Sequence, residues 1–247
     1  MSLHLPRLGA APDAPFPPVE RALRRPDGLL AFGGDLSVPR LRNAYRHGVF
    51  PWFSEGQPIL WWSPDPRTVF ETAELRPNRR SARTLRSSDW LLRADTAFAD
   101  VVTACAQAPR PGQDGTWITA GMRDAYSMLH AAGFAHSVEV FDGDALVGGI
   151  YGVSIGRMFF GESMFSARTG ASKAALFGLA RQMRHWAMPL IDAQVGNPHL
   201  ASLGAASWPR GRFIESVDAL AEAPAPVTGA WTGAFGAIPA ATLGAPD

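Results

Sequence analysis

Apolar and polar positions alternate strongly in the middle of the chain, in three runs at 135–141, 145–154 and 157–165. Asp142-Gly143 separates the first two runs, and Gly156 separates the last two. Such residues favour the tight turns of β-hairpins, and a period of two places one side of each run against a core. The pattern therefore predicts three antiparallel strands joined by short turns.

The segments on either side of these runs predict helices and two further strands. Before the runs, the pattern predicts a strand at 90–94 and amphipathic helices at 96–107 and 120–132, the second capped by Thr119. After them come a helix from Lys173 to about Trp186, with Ser172 as its cap, and a strand at 189–195. The order β, α, α, β, β, β, α, β, with its three adjacent antiparallel strands, indicates an α+β fold.

The two ends of the chain follow other patterns. Residues 9–26 are rich in proline, alanine and arginine and predict an irregular arm packed on the body. A helix is predicted from Pro39 to His47, with Ser37 as its N-cap and Gly48 as its stop. Residues 221–247 are rich in alanine and proline and predict a loosely held tail.

Composition narrows the class of protein. The 247 residues are 47% hydrophobic, enough to bury a core, and the net charge of +1 leaves nucleic-acid binding to a local patch. The single cysteine, Cys105, lies at an inward position of a predicted helix, so we expect it to pack in the core. No apolar run is long enough for a membrane-spanning helix. We expect a soluble, cytoplasmic protein.

A run of arginines forms the one local patch that suits phosphate. The side chains recur at helical spacing near one face of a helix predicted to start near Pro77. They are Arg76, Arg79, Arg80, Arg83 and Arg86. A solvated helix face is the alternative interpretation. However, no acidic residue lies between the first and last of them, so the face is net positive and suits contacts with phosphates.

Aromatic residues concentrate at 50–62. A small core explains most of them, because aromatic rings bury readily. Natural monomers avoid exposing an aromatic cluster of this size unless something binds there. Trp52 is therefore a candidate stacking surface as well as a candidate core residue.

Two predicted strands end in polar groups that a hydrophobic core does not require. Glu162 lies among phenylalanine and methionine residues, so its carboxyl is either paired with a buried arginine or raised in pKa by desolvation. Asp192 and Gln194 are two residues apart on a strand, so both side chains are expected on one face, as a hydrogen-bonded strand end or as a catalytic pair. Glu162 or Asp192 can take a proton, whereas Gln194 can only orient or relay. This chemistry suits a substrate amine.

Other catalytic constellations are missing from the sequence. The segment GESMF at 161–165 has Phe165 where a nucleophile elbow requires glycine, which disfavours a serine hydrolase. The histidines show no metal-ligand spacing, and neither a phosphate loop nor a dinucleotide-binding glycine motif occurs. We therefore expect no metal and no cofactor.

Several segments, spread over about residues 16–215, resemble one family in the same order along the chain. They are LLAFGGDLS at 29–37, GVFPWF at 48–53, ILWWSPDPR at 59–67, TWIT at 116–119, GESMFS at 161–166, IDAQ at 191–194 and HLASLGA at 199–205. The family is that of the bacterial leucyl/phenylalanyl-tRNA–protein transferases.

The resemblance implies transfer of leucine or phenylalanine, with methionine as a further donor, from aminoacyl-tRNA to the N-terminal arginine or lysine of an acceptor protein. This transfer marks the acceptor for N-degron proteolysis. The resemblance also implies a small N-terminal domain, 1–70, and a GNAT-like (acyl-CoA N-acyltransferase superfamily) catalytic domain, 71–247, with a mixed, mostly antiparallel sheet. Acetyl-CoA is not implied, because the superfamily's pyrophosphate loop is absent. We expect a monomer.

The resemblance also assigns residues to roles. Asp192 and Gln194 orient the acceptor amine and relay its proton, and Glu162 helps to hold the acceptor or the aminoacyl end. The aminoacyl pocket consists of apolar side chains, namely Ile150, Phe159, Leu176, Leu179 and Ile191. Trp52 and Trp117 stack on the terminal adenosine with Asn197 nearby, and the arginine face meets the tRNA backbone.

Two other functions stay open from the residues alone. One is a non-catalytic RNA-binding module that uses the same aromatic residues and arginine face. The other is a small-molecule acetyltransferase, which requires acetyl-CoA.

Overall fold

The structure, a computed structural model, describes residues 5–108 and 116–245 and is of the α+β class. Its strands are β1 (Arg7–Leu8), β2 (Leu29–Gly33), β3 (Phe50–Pro51), β4 (Leu60–Trp62), β5 (Arg67–Glu71), β6 (Leu91–Ala94), β7 (Ala135–Asp142), β8 (Ala145–Ile155), β9 (Met158–Ser166), β10 (Leu190–Gln194), β11 (Ala206–Trp208) and β12 (Ile238–Pro239). Its helices are α1 (Val38–Arg46), α2 (Arg79–Arg86), α3 (Phe98–Gln107), α4 (Ala120–Ala131), α5 (Ala171–His185), α6 (Pro198–Ser202), α7 (Arg210–Glu222) and α8 (Thr232–Phe235).

The smaller sheet has the strand order β1-β2-β4-β3 and carries α1 beside it. The Ser37 side chain accepts a hydrogen bond from the Arg40 backbone N–H at 3.4 Å, which confirms the predicted helix cap. The completely buried guanidinium of Arg40 donates to the carbonyls of Gly9, Ala11 and Ala14. Because these bonds tie the N-terminal arm to α1, the arm is packed as predicted.

The larger sheet has the order β11-β5-β10-β9-β8-β7-β6-β12. Strands β9 and β10 pair in parallel, and the other neighbouring strands pair antiparallel. The two predicted hairpins, β7-β8 and β8-β9, are confirmed, with Gly143 and Gly156 both at a φ of +59° in their turns. The mixed, mostly antiparallel sheet is therefore confirmed as well.

The larger sheet is covered on both faces, because successive residues of its strands point to opposite sides. Phe160 of β9 packs in a core with α1, α3 and α4, whereas its neighbour Phe159 packs in a second core with α5. Helix α5 begins at Ala171, with Gly170 rather than the predicted Ser172 at its N-cap position. The ends of β9 and β10 lie between these two cores.

Strand β5 belongs to the larger sheet, and this membership decides where the chain passes from one sheet to the other. The expected boundary after residue 70 cuts through this strand, which pairs with β10 and β11 in the larger sheet. Arg67, the first residue of β5, is completely buried against residues of the larger sheet. The change from one sheet to the other therefore lies before Arg67.

Within the described residues, the C-terminal segment 221–245 is a packed part of the fold, whereas the sequence predicted a loosely held tail at 221–247. Strand β12 extends the larger sheet by pairing with β6. Trp231 is only 1% exposed, stacks on His136 with ring centroids 4.0 Å apart, and donates its backbone N–H to Asp95. The sequence did not predict this packing, because its few buried apolar residues are widely spaced among alanine and proline.

Among the helices within residues 5–108 and 116–245, none is both long and apolar enough to cross a bilayer.

Candidate active site

Glu162 lies at the centre of a buried hydrogen-bond network. It is carried by β9, and it accepts hydrogen bonds from Tyr45 of α1 and Tyr126 of α4, both at 2.7 Å. The Gln194 side-chain amide, at the end of β10, donates to the same carboxyl at 2.8 Å. Helices from one side of the sheet and two neighbouring strands thus converge on one carboxyl group.

The number of hydrogens in this network depends on the protonation of Glu162. The two tyrosine oxygens are 2.6 Å apart, so Tyr45, Tyr126 and Glu162 form a ring of three short contacts. An ionised Glu162 leaves only two hydroxyl hydrogens for these three contacts, whereas a protonated Glu162 supplies the third. The ring is therefore fully hydrogen-bonded when Glu162 is protonated.

Burial acts in the same direction. Desolvation raises the pKa of Glu162 to about 7, and the negative charge of Asp192 adds to the increase, while donation from both tyrosines and Gln194 opposes it. The pKa values of Tyr45 and Tyr126 are raised well above 10, first by their own burial and then by the nearby Glu162 charge. Near neutral pH, Glu162 can therefore both hold and release a proton.

Asp192 has different surroundings from those expected. It is completely buried and forms a two-bond ion pair with Arg67, with Nε to Oδ1 at 2.8 Å and Nη2 to Oδ2 at 2.6 Å. The Arg67 guanidinium also lies over the rings of Phe50 and Phe213 and donates to the Gly48 carbonyl. The buried ion pair considered for Glu162 thus belongs to Asp192, so that interpretation of Glu162 is wrong. The role of Asp192 in orienting the acceptor amine and relaying its proton stays a prediction.

The expected side-chain pairing of Asp192 with Gln194 is also corrected. The β10-β5 register shifts between these two residues, and Gln194 has a φ of +59°. Asp192 accepts the backbone N–H of Gln194 at 2.8 Å, while the Gln194 side chain turns to Glu162. A regular strand places residues two apart on one face, but this bulge re-aims the second side chain. Asp192 therefore holds the backbone that presents Gln194.

Glu162 and Gln194 border an open cleft of about 770 Å³. We call it the reaction cleft. Trp52, 36% exposed, and the half-buried Trp117 form one wall, and the loop that carries Asn197 forms another. The Asn197 side-chain oxygen caps α6 by accepting the Leu200 N–H at 2.9 Å. The expected stacking residues and the polar strand ends thus meet at one cleft.

The five residues assigned to the aminoacyl pocket lie below this cleft. All are buried and belong to the core that packs on α5, namely Ile150, Phe159, Leu176, Leu179 and Ile191. None of them is among the residues that line the reaction cleft, whose apolar floor is formed by Met164, Ala193 and Leu200. These three side chains are packed against the same core. An aminoacyl pocket at the five residues remains a prediction.

The arginine run lines a second, separate cleft of about 640 Å³. We call it the arginine cleft. Helix α2 begins at Arg79, two residues after the expected start, because the Asn78 side chain caps it by accepting the Ser81 N–H at 2.9 Å. Arg76, Arg79, Arg83 and Arg86 line this cleft, together with Arg181 and Arg184 of α5, two residues outside the predicted run. Arg80 instead borders a neighbouring cleft beside Lys173.

Three further site residues escaped the sequence analysis: Tyr45, Tyr126 and Arg67. The sequence offered one signal, because it contains only 3 tyrosines. In the structure all three are completely buried in one region. The ring of the third, Tyr151, lies 5.5 Å from that of Tyr126. No sequence period links α1, α4 and β9, so only the fold shows that two of these tyrosines meet Glu162. Within the described part of the chain, no cluster of three or more His, Cys, Asp or Glu residues is arranged to hold a metal ion.

Comparison with known proteins matches this chain to one family. A family model described as leucyl/phenylalanyl-tRNA protein transferase matches residues 69–218, and a model of the N-terminal domain of that transferase matches residues 34–65. A leucyl/phenylalanyl-tRNA–protein transferase of Xanthomonas axonopodis pv. citri (strain 306) is 61% identical over 245 residues, which cover 99% of this chain and 98% of that protein. The protein of the same name from Xylella fastidiosa (strain M23) is 64% identical over 210 residues, 85% of this chain and 86% of that protein.

These matches span nearly the whole chain and confirm the resemblance seen in the motifs. The chain belongs to the leucyl/phenylalanyl-tRNA–protein transferases, a family of aminoacyl-transferring enzymes.

Proposed function

We propose that this protein transfers leucine or phenylalanine from aminoacyl-tRNA to the N-terminal arginine or lysine of an acceptor protein, which marks the acceptor for proteolysis in the cytoplasm. The observation that carries the proposal is the position of Glu162 and Gln194 at the edge of the reaction cleft, between Trp52 and Trp117 on one side and an apolar floor on the other. This arrangement combines a proton carrier with an amide group. It also offers one surface on which a nucleobase can stack and another against which an aliphatic or aromatic side chain can pack.

The chemistry needs little beyond positioning and one proton carrier. An acceptor α-amine has an ordinary pKa of about 7.7 to 8.0, so a useful fraction is unprotonated at neutral pH. Its nitrogen attacks the ester carbonyl carbon, the N–C bond forms, and the bond from that carbon to the ribose oxygen breaks. One proton leaves the amine and one is gained by the ribose oxygen.

Glu162 is the group that supports this proton exchange best. In its protonated form it can give its proton to the departing ribose oxygen while the two tyrosine hydroxyls turn to donate to the carboxylate. It then regains a proton from the attacking amine, so it ends as it began. The side-chain oxygen of Gln194 is left to accept a hydrogen bond from the amine, because the amide nitrogen already donates to Glu162. Asp192 and Arg67 act as positioning residues through the backbone of Gln194.

The tRNA is proposed to approach across both clefts. Trp52 and Trp117 offer indole faces for the terminal adenosine, and Asn197 lies in the facing loop. The arginine cleft suits the phosphates of the tRNA backbone, and Arg181 and Arg184 extend the set of cations that the sequence singled out. An aminoacyl pocket then requires the apolar floor to open toward Ile150, Phe159 and Ile191.

The proposed architecture is a GNAT-like catalytic domain behind a small N-terminal domain, working as a monomer. The order β6, α3, α4, β7, β8, β9, α5, β10 and the parallel pairing of β9 with β10 beside the reaction cleft support the superfamily assignment. Sheet membership supports a domain boundary just before Arg67.

The proposal is tested by incubating the protein with radiolabelled leucyl-tRNA and a peptide that begins with arginine. Label is expected to move into the peptide, and a peptide with a blocked α-amine is the control that should stay unlabelled. Binding of tRNA without any transfer would refute the proposal in favour of a non-catalytic RNA-binding module.

A further inference from the structure

A small cleft of about 240 Å³ lies between α2 and the beginning of α5. Arg80 and Ser81 of α2 line it from one side, and Gly170 and Lys173 line it from the other. The beginning of α5 comes close to α2 there, since a methyl group added at Gly170 would lie 3.5 Å from the Thr84 side chain. We call it the Lys173 cleft. The proposed approach of tRNA uses the larger arginine cleft and leaves this one unassigned.

Two cations line the Lys173 cleft without an acidic partner. Arg80 is exposed and Lys173 is half-buried, and neither forms an ion pair within the described part of the chain. No aspartate or glutamate is among the described residues that line the cleft. Lys173 is also the only lysine in the sequence. The cleft therefore carries positive charge that the protein does not compensate.

The first turn of α5 adds to this positive charge. The helix is 15 residues long, and its N-terminal end carries the positive end of the helix dipole. An acidic side chain would offset this charge, but the first turn contains none and has Lys173 instead. The backbone N–H groups of Ala171 and Ser172 have acceptors, whereas that of Lys173 has none among the described residues. A free donor at this end of a helix suits an oxygen of an anion.

A buried hydroxyl provides independent evidence of a ligand. Ser81 is only 9% exposed, yet it lines the cleft. Its backbone N–H donates to the Asn78 side chain at 2.9 Å, but its hydroxyl has no hydrogen-bond partner within residues 5–108 and 116–245. A buried hydroxyl without a partner costs free energy, so proteins normally satisfy it with a protein group, a water molecule or a ligand. An oxygen of a ligand in the cleft supplies this partner.

The chemistry of these groups matches a phosphate ion. Its negative charge complements Arg80 and Lys173, and its four oxygens accept hydrogen bonds from donors that lie in different directions. A carboxylate has only two oxygens and leaves part of this donor set without an acceptor. The volume of about 240 Å³ admits a free phosphate ion, whereas a tRNA backbone is better matched by the row of arginines in the larger cleft.

We propose that the Lys173 cleft is a binding site for a free phosphate ion. The ion accepts hydrogen bonds from the Ser81 hydroxyl and the Lys173 backbone N–H, and the side chains of Arg80 and Lys173 offset its charge. A bound ion thus joins α2 to α5, the two helices that also line the arginine cleft. The inference does not rest on the proposed function, because binding of the ion requires neither tRNA nor an acceptor protein.

The test follows acetylation of the Lys173 amine, which is unambiguous because the chain has no other lysine. The full-length protein is treated with N-hydroxysuccinimide acetate, and mass spectrometry measures acetylation of Lys173 and of the N-terminal α-amine. Saturating inorganic phosphate should slow acetylation of Lys173 about fivefold or more relative to sodium chloride of the same ionic strength, because a bound anion favours the charged, unreactive amine. The α-amine is the internal control and should react equally fast in both salts.

Variants identify the groups that hold the ion. Ser81→Ala removes a hydrogen bond to a charged group and should raise the phosphate concentration that gives half-protection about tenfold. Arg80→Gln changes an exposed side chain without disturbing the core and should raise this concentration about two- to fivefold. Arg79→Gln is the matched control, because Arg79 adjoins Arg80 in the chain but lines the arginine cleft, and it should leave the concentration unchanged.

Three results would overturn the inference. Equal acetylation rates in phosphate and chloride mean that the cleft does not select phosphate. Protection that Arg181→Ala removes and Ser81→Ala does not remove assigns the ion to the arginine cleft. Protection by uncharged tRNA but not by inorganic phosphate makes Lys173 a contact of the tRNA backbone. None of these results bears on aminoacyl transfer, which the labelled peptide measures separately.

Discussion

Glu162 and Asp192 are both buried carboxyl groups, yet the fold gives them opposite electrostatic environments. Asp192 meets the permanent charge of Arg67, whereas Glu162 meets only hydroxyl and amide groups. Burial among neutral donors disfavours the charged form of Glu162 and raises its pKa. The residue suited to carry a proton at neutral pH is therefore Glu162.

The first prediction concerns the stability of Glu162→Gln. The pKa of Glu162 is about 7 in the folded protein against an ordinary 4.5, so between these pH values the folded state keeps a proton that the unfolded chain loses. The wild-type protein accordingly loses about 3 to 4 kcal/mol of stability from this group as the pH rises from below 4.5 to above 7. Glutamine imitates the protonated acid and has no such dependence.

Urea denaturation of both proteins at pH 4.5, 6 and 8 measures this difference. The free energy of unfolding of the variant should increase relative to that of the wild-type protein as the pH rises. Its transfer rate should be about a hundredfold or more below that of the wild-type protein, because the proton carrier is gone. A constant difference in the free energy of unfolding at all three pH values would contradict the raised pKa.

Regular elements were the part of the structure most accessible to sequence reasoning. The β7-β8-β9 hairpins and the flanking helices appear in the predicted order, because their periods are local properties of the chain. The bulge at the end of β10 was not predicted, although it decides where Gln194 points. A bulge is set by the contacts of Asp192 with β5, which lies more than a hundred residues away in the chain.

The second prediction addresses β10 and its ion pair. Asp192→Asn leaves Arg67 buried without a counter-charge and should cost about 3 to 5 kcal/mol in the free energy of unfolding. Glu71→Gln, an exposed change on the same strand as Arg67, is the control and should cost little. Thermal unfolding followed by circular dichroism measures both variants.

A double variant separates stability from positioning at this site. Arg67→Met combined with Asp192→Leu removes both charges and should recover part of the lost stability. It should not recover transfer, because the backbone N–H of Gln194 no longer has its acceptor. Recovery of both properties would refute the positioning role of Asp192.

The third prediction concerns the helices that line the arginine cleft. Arg181→Ala should weaken tRNA binding and reduce the slope of log affinity against log salt by about one, as expected for one lost phosphate contact. Arg181 lines the arginine cleft, whereas Arg80, although it lies on α2, borders the neighbouring one. Arg80→Ala should therefore change the slope less. Filter binding over a salt series measures both, and equal slopes for the two variants would count against the cleft.

At the scale of the whole molecule, the C-terminal segment completes the fold. It covers the core on the α5 side with Trp231, Phe235 and Leu243, and it adds an edge strand beside β6. Because its buried apolar residues are few and separated by glycine, alanine and proline, no local hydrophobic periodicity predicts them. Long-range packing is what orders this part of the chain.

The fourth prediction tests this role. Trp231→Ala should cost about 3 to 5 kcal/mol, because it removes a buried indole and leaves a cavity beside His136. Trp52→Ala removes the same side chain from an exposed position and should cost much less stability while weakening tRNA binding. Urea denaturation compares the two, and a loosely held tail would make the Trp231 variant as stable as the wild-type protein.

The sequence by itself determined the family, the α+β class and the strands whose ends form the site, because motifs and periods are carried by neighbouring residues. Only the tertiary structure decided which carboxyl group is neutralised by Arg67, which tyrosines surround Glu162 and which helix adds arginines to α2. These features depend on contacts between residues that are far apart in the chain. Burial and neighbouring charges, which only the fold brings together, determine which groups hold a proton and what each side chain can contact.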